Sequence, residues 1–236
     1  MNSMQRRMFS GGMAVVIATA AITTQALAQA PAAAPGRGAA APRLQFWVTS
    51  PAWPDGGAIP MHNAGRGDNK SPAFEFHWQL GTNPTSAPDS LKTYAVILHD
   101  VENSSNKGPV DTLHWSAFNI PGTAKGLPEG LGSGTLPDGT VNGPGIALSR
   151  GGPAAFFGPG APAGPVHHYV FEFYALDTKL DLPATATRDE LLKAMEGHVV
   201  GKAAYTGRFP VESWGKIAHS KTWQFSHVLR LGSGLT

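Results

Sequence analysis

Three short segments carry most of the residues able to do chemistry: His99-Asp100-Val101-Glu102, His114-Trp115 and His167-His168-Tyr169. Asp100 and Glu102 stand two apart, so they share a face if the segment is extended. Side by side in a pocket, burial and like charge raise a carboxyl pKa, and a carboxyl that keeps its proton can donate to an anion. His114, next to an indole, can offer an N–H while the Trp115 ring walls the pocket. His167 and His168 are adjacent and point opposite ways on a strand, so one of them serves the site, and the Tyr169 hydroxyl can orient a ligand. Phe157-Gly158-Pro159-Gly160 lies shortly before; glycine permits close backbone approach and proline stiffens the loop.

Other chemistries find less support. Histidines and carboxylates are good zinc or iron ligands, but no His-Glu-x-x-His helix is present and the candidate ligands are scattered in sequence. No metal and no cofactor are expected. Ser149-Arg150-Gly151-Gly152 is not a nucleophile elbow, and neither Gly-x-Gly-x-x-Gly nor Walker spacing occurs. A histidine near two carboxylates is also an acid–base pair, which keeps open a small hydrolase or isomerase with Glu102 as base and His114 as acid. No nucleophile presents itself, so no residue is assigned as catalytic. His62, His77, His99, His198, His219 and His227 have no partner nameable from sequence.

The elements that must position these residues are mainly strands. Tyr94–Leu98, Ala117–Ile120 and Val170–Tyr174 are the apolar runs bordering the three segments. Phe74-Glu75-Phe76-His77-Trp78 alternates as a half-buried strand does. Thr93–Leu98 is continuously apolar and suits a central strand. His114–Ile120 ends at the Pro121-Gly122 turn, and Tyr169–Leu176 is a further aromatic-rich strand. Residues 121–165 form a long irregular stretch of the kind that compact domains keep for function. One helix is expected, opened by the Thr187-Arg188-Asp189-Glu190 capping box. Leu191, Leu192 and Met195 form its apolar stripe, Gly197 ends it, and Val199–Tyr205 returns as a strand. Strands first and a helix late predict a mainly β domain with peripheral helices.

Arg6-Arg7, the apolar stretch Gly11–Thr24 and Ala26-Leu27-Ala28 read as a signal peptide over residues 1–28, of twin-arginine or Sec type, with a membrane anchor as the alternative. Residues 29–43 are an Ala/Pro/Gly-rich linker, residues 44–207 the domain, and residues 208–236 a C-terminal extension, in which Trp223 and Phe225 could belong to a short strand. The protein is therefore expected in the periplasm or secreted. Removing residues 1–28 takes two of the 18 Lys and Arg and none of the 16 Asp and Glu, which leaves no net formal charge. No clustered basic surface for nucleic acid is implied. The absence of cysteine excludes disulfides, thiol catalysis and Cys-ligated zinc.

The order of these pieces resembles the phosphatidylethanolamine-binding protein (PEBP) family, in its bacterial Raf-kinase-inhibitor-like branch, over about residues 44–207. The resemblance is carried by Asn69-Lys70-Ser71-Pro72 before Phe74–Trp78, His99-Asp100-Val101-Glu102, His114-Trp115 with Asn119-Ile120-Pro121, Leu136-Pro137-Asp138-Gly139, Phe157-Gly158-Pro159, His167–Phe171, and Leu182-Pro183 through Met195-Glu196-Gly197-His198. It implies a large central β-sheet packed on a smaller sheet with peripheral helices. It also implies a non-catalytic pocket for a small anion or phospholipid head group, lined by Asp100, Glu102, His114, Trp115, Gly158, Pro159, His167 and Tyr169. Val101 and Glu102 depart from the family's Pro-Asp at the acidic motif, Asn103-Ser104 from the Ala-Pro that follows, and His168 stands where the family often has Arg. As in some relatives, inhibition of a protein partner such as an extracellular protease is a further alternative, with the tail as the contact. Oligomeric state stays open.

Overall fold

A computed structural model describes residues 41–104 and 107–209. The tail contacts and the Trp223/Phe225 strand considered above lie outside these residues. Among them, a small antiparallel sheet contains β1 (Leu44–Thr49), β3 (Phe74–Leu80) and β4 (Asn83–Thr85) in that order, with β7 (Gly126–Leu127) also on β3. A large sheet has the order β2 (Gly57–Ala58), β10 (Val199–Phe209), β9 (His167–Leu176), β5 (Thr93–Ser104), β6 (Asp111–Pro121), β8 (Val141–Asn142). The helices are α1 (Ile146–Ser149) and α2 (Arg188–Met195). The fold is mainly β, with a large and a small sheet and peripheral helices, as the sequence predicted.

The alternation of β3 places Phe74, Phe76 and Trp78 inward, where they meet Phe46 and Val48 of β1 and Tyr94, Val96, Leu98, Phe171, Phe173 and Tyr205 of the large sheet. The opposite face of the large sheet buries Ala95, Ile97, Phe118, Tyr174 and Leu176 beneath Leu191 and Met195 of α2. β5 is apolar at successive positions because both of its faces are covered, one by the small sheet and one by the helix layer. Burying such residues contributes roughly 1.5–3 kcal/mol for each large side chain.

The capping box of α2 forms in full. The Thr187 Oγ1 accepts from the Glu190 amide, and the Thr187 amide donates to the Glu190 carboxylate at 2.7 Å. Gly197 adopts φ 80° and turns the chain out of the helix. One expectation is corrected: Leu192 does not join the buried stripe and is 37% exposed, because Leu191 and Met195, four apart, define the buried face.

The long stretch over residues 121–165 is largely irregular, with β7, β8 and α1 as short elements. Its segment Phe156–Ala161 crosses one end of the layered core and is held by long-range hydrogen bonds. Gly158 N donates to Asn69 Oδ1 at 2.9 Å, Gly65 N to Pro159 O at 2.8 Å, and Arg66 Nε to Gly160 O at 2.9 Å. A Cβ on Gly158 would lie 2.0 Å from Asn63 O, so this position requires glycine for close approach.

Candidate functional site

The three chemistry-bearing segments meet at one end of the large sheet, on the face toward the small sheet. Asp100 and Tyr169 are direct partners across β5 and β9, in the same alternation as Leu98 and Phe171 one step deeper. His114 arrives through a β-bulge. Between the pairs Leu98↔Trp115 and His99↔Leu113, β6 carries one extra residue, His114, and such an insertion re-aims a side chain. A larger irregularity follows in β5, where Val101, Glu102 and Asn103 are inserted between the pairs Asp100↔Thr112 and Ser104↔Asp111. The chain therefore folds back at the acidic motif, and the Glu102 amide donates to Asp100 Oδ1 at 3.1 Å. Asp100 and Glu102 approach each other through this local turn and not through a flat extended strand.

Asp100 is 2% exposed and is the hub. His167 Nδ1 lies 2.8 Å and 3.0 Å from its two carboxylate oxygens, and the Tyr169 hydroxyl hydrogen-bonds to it as well. The same hydroxyl receives the Gly160 and Ala161 amides at 3.4 Å and 3.3 Å, which ties the irregular loop to the hub. Burial first, and then the Asp100 charge and hydrogen bond, push the Tyr169 phenol well above its ordinary value, so it stays protonated and donates to the carboxylate. The His114 ring meets the Tyr169 ring edge to face at 5.1 Å.

His114 is 3% exposed, and its Nδ1 donates to the carbonyls of Phe157 and Gly158, each at 3.2 Å. Burial lowers its pKa; the two loop carbonyls and the Asp100 charge push the other way without reversing this, and Arg150 lowers it further. Near neutral pH the ring is thus the Nδ1–H tautomer with a lone pair at Nε2. This corrects the expectation that His114 offers an N–H to an anion: that N–H is committed to the loop.

The protonated-carboxyl expectation also changes for Glu102. Burial pushes its carboxyl up, but the His168 amide, hydrogen-bonded at 2.7 Å, and the His168 imidazole at 2.6 Å pull it down by more, and the net shift is downward. His167 and His168 therefore both engage the acidic motif, one on Asp100 and one on Glu102. The expectation that only one of them could serve assumed a flat partner strand; the fold-back of β5 gives each its own carboxylate.

Trp115 is 1% exposed and sits behind the site. Its Nε1–H donates to Asn142 Oδ1 at 2.9 Å, and its ring packs edge-on against Phe156. It supports the loop, with no N–H left for a ligand. Pro159 and Gly158 contribute backbone that closes the loop over His114.

Sequence reading missed two contributors. Asn69, at φ 54°, bonds the loop at both Phe156 O and Gly158 N. Its signal was its place in Asn-Lys-Ser-Pro, quoted above only as a strand lead-in. Arg150 stacks its guanidinium 4.6 Å from the Phe157 ring centre and acts electrostatically on His114. No local pattern marked it.

The donor atoms of Asp100, Glu102 and His167 all lie within 4.8 Å of one another. The candidate metal ligands that are scattered in sequence thus include three that the fold gathers.

Residues 49–210 match the family model for phosphatidylethanolamine-binding protein. The chain belongs to the PEBP family. A UPF0098 protein of Methanothermobacter thermautotrophicus is 38% identical over 159 residues, which cover 67% of this chain and 94% of that relative. Among solved structures, the PEBP homologue of Chlamydia trachomatis superposes with a TM-score of 0.57 at 26% identity, over 70% of this chain and 97% of that one. A Mycobacterium tuberculosis protein named as a lipoprotein, LppC, is 29% identical over 191 residues, 80% of this chain and 79% of that one. Within this PEBP fold, the inserted Val101–Asn103 and the histidine at position 168 form one unit, since Glu102 and His168 bind each other.

Proposed function

We propose that this PEBP-family protein is an exported ligand-binding protein whose pocket takes a small anion, in the form of phosphate or a phospholipid head group. The observation that carries this is the convergence of Asp100, His114, His167 and Tyr169 beneath the Phe156–Ala161 loop, with the Arg150 cation beside His114. Arg150 supplies the fixed positive charge that position 168 lacks. The neutral His114 accepts at Nε2, so the favoured ligand carries a hydroxyl as well as negative charge, as hydrogenphosphate does. His167 holds Asp100 with Nδ1 and keeps Nε2 for the ligand.

Export is supported by the arginine-led apolar segment at residues 1–28 and by the lipoprotein name of the LppC relative. Among the described residues, no helix is long and apolar enough to cross a membrane. Isothermal titration of the chain with inorganic phosphate and with phosphoethanolamine tests the pocket. Binding is expected in the wild type and at least tenfold weaker in Arg150→Ala. No heat of binding for either compound at about 10 mM, a weaker regime than any useful affinity, would sink the reading. N-terminal sequencing of the protein from an expressing cell's envelope fraction tests export, with cleavage near Ala28 as the expected result.

A further inference from the structure

We propose that Asp100, Glu102 and His167 bind a divalent transition-metal ion, with Zn2+ as the probe. The inference rests on the same pocket being the binding site and names what would hold an anion there. Among the described residues, this is the group in which three such donors converge on one point. His62, with Asp68 on one ring nitrogen and Glu129 on the other, is a bridge between two acids and not a convergence.

Two observations point to a cation. The first is charge. Asp100 is almost fully buried, Glu102 accepts two hydrogen bonds, and the charged or titratable partners recorded for these two carboxylates are imidazoles and the Tyr169 phenol. Elsewhere on the same sheet, partly buried Asp111 and Glu172 are each bonded to Arg or Lys. The second is His114. Its side chain is buried, Nδ1–H is anchored on two backbone carbonyls, and Nε2 has no hydrogen-bond partner among the described residues. A backbone carbonyl on one ring nitrogen is the arrangement that orients a metal-bound imidazole through the other. Asp100 lies close enough to act on this ring electrostatically. His114 is accordingly available as a fourth donor whenever no anion's hydroxyl occupies Nε2.

Mixed carboxylate and imidazole donors suit zinc and its first-row neighbours better than calcium or magnesium. Donor atoms on one tetrahedral zinc ion stand about 3.3 Å apart, so side-chain adjustments within the 4.8 Å group suffice. Binding replaces the proton that His167 now shares with Asp100, and that proton leaves to solvent. The bound ion then carries the positive charge to which a phosphate oxygen coordinates.

The test uses the untagged chain, stripped of metal and titrated with Zn2+ in phosphate-free buffer. One equivalent is expected, with His167→Ala and the near-isosteric Glu102→Gln each weakening binding ten- to a hundredfold. Glu172→Gln, on the other face of the sheet, is expected to leave it unchanged. Co2+ in place of Zn2+ should give visible absorption bands that Glu102→Gln shifts. Thermal melts followed by circular dichroism establish that the variants fold. No stoichiometric zinc, or equal zinc affinity in wild type and both pocket variants, overturns the proposal. Phosphate titrations with EDTA and with Zn2+ separate the two readings. Phosphate binding in EDTA by a chain that takes no zinc overturns the ion alone, whereas absence of phosphate binding under both conditions overturns the anion pocket.

Discussion

Two polar clusters lie back to back on β5, and they begin at consecutive residues. Asp100 faces the small sheet and the candidate site. His99 faces the α2 layer, where its Nδ1 bonds Asp111, which Arg188 of α2 also bonds. Glu172 stands nearby, bonded by Lys202 at 2.8 Å and by the Tyr174 hydroxyl at 2.9 Å, with His99 Nε2 3.8 Å away, beyond hydrogen-bond reach. Lys202 also lies over the Tyr174 ring. On this far face both acids have permanent cations, and the network ties helix to sheet. At the candidate site the acids' side-chain partners among the described residues are imidazoles and the Tyr169 phenol, joined by the backbone amides of Glu102 and His168. The contrast lies in the partners: the far-face acids meet Arg188 and Lys202, although His99 Nε2 and Arg188 Nε stay buried without a hydrogen-bond partner among the described residues, whereas the acids at the sheet's end meet imidazoles.

The comparison breaks most visibly if the far face proves dispensable. Asp111→Ala removes the shared partner of His99 and Arg188, and a loss of about 3 kcal/mol is expected from a partly buried ion pair broken on one side. Urea denaturation measures it, and phosphate titration of the same variant should be unchanged. A stable Asp111→Ala protein with a damaged pocket would reverse the roles assigned to the two faces.

Gly158→Ala probes the pocket face. Its methyl group would collide with Asn63 O, so the loop must shift, at about 2 kcal/mol. Phosphate affinity should fall at least tenfold as His114 loses its two carbonyl acceptors, which calorimetry reads directly. Asp100→Asn sharpens the comparison from the other side. It preserves shape and an acceptor for the Glu102 amide but sets an amide NH2 group against the His167 and Tyr169 donors, so a stability loss of about 1–2 kcal/mol is expected, while ligand binding is lost.

The smallest effect is in the pH dependence, where His114 adds an upper window to the acid window that Asp111, Glu172 and Glu102 share. Asp111 and Glu172 are pushed up by burial but pulled further down by their partners: Arg188 and His99 for Asp111, Lys202 and Tyr174 for Glu172. Their folded pKa values are depressed, so the unfolded chain binds more protons in acid. That stability is complete above about pH 4.3 and is lost as the pH falls through the folded values. His114 is also depressed, by burial. Its contribution is complete above about pH 6.5 and declines as the pH falls below that. Denaturation midpoints from pH 8 to 3.5 should therefore drop in two stages, with His114→Gln removing the upper stage and Glu172→Gln reducing the lower.

How much of this was legible varied with the range of the interaction. β3, β5, β6, β9 and α2 were readable because alternation, a continuous apolar run and a capping box are local. The candidate site's residue types were readable too, since Asp100, His114, His167 and Tyr169 adjoin strand-like runs. The His114 bulge was not, because register is a relation between two strands and neither contains it alone. The same holds for the insertion at Val101–Asn103, for Asn69 and Arg150 on the Phe156–Ala161 loop, and for the partners of His62 and His99.

The amino-acid sequence by itself determined the mainly β fold, the late helix, the family and the identity of the acids and imidazoles at the sheet's end. Those properties follow from side-chain type and spacing along the chain. Only the tertiary structure decided which nitrogen of His114 carries the proton, which acids face cations and which face histidines, and that Trp115 supports the loop without an N–H for a ligand. These depend on what stands within about 3 Å in space, and the groups that meet there come from positions far apart along the chain, as Asn69 and Gly158, 89 residues apart, do.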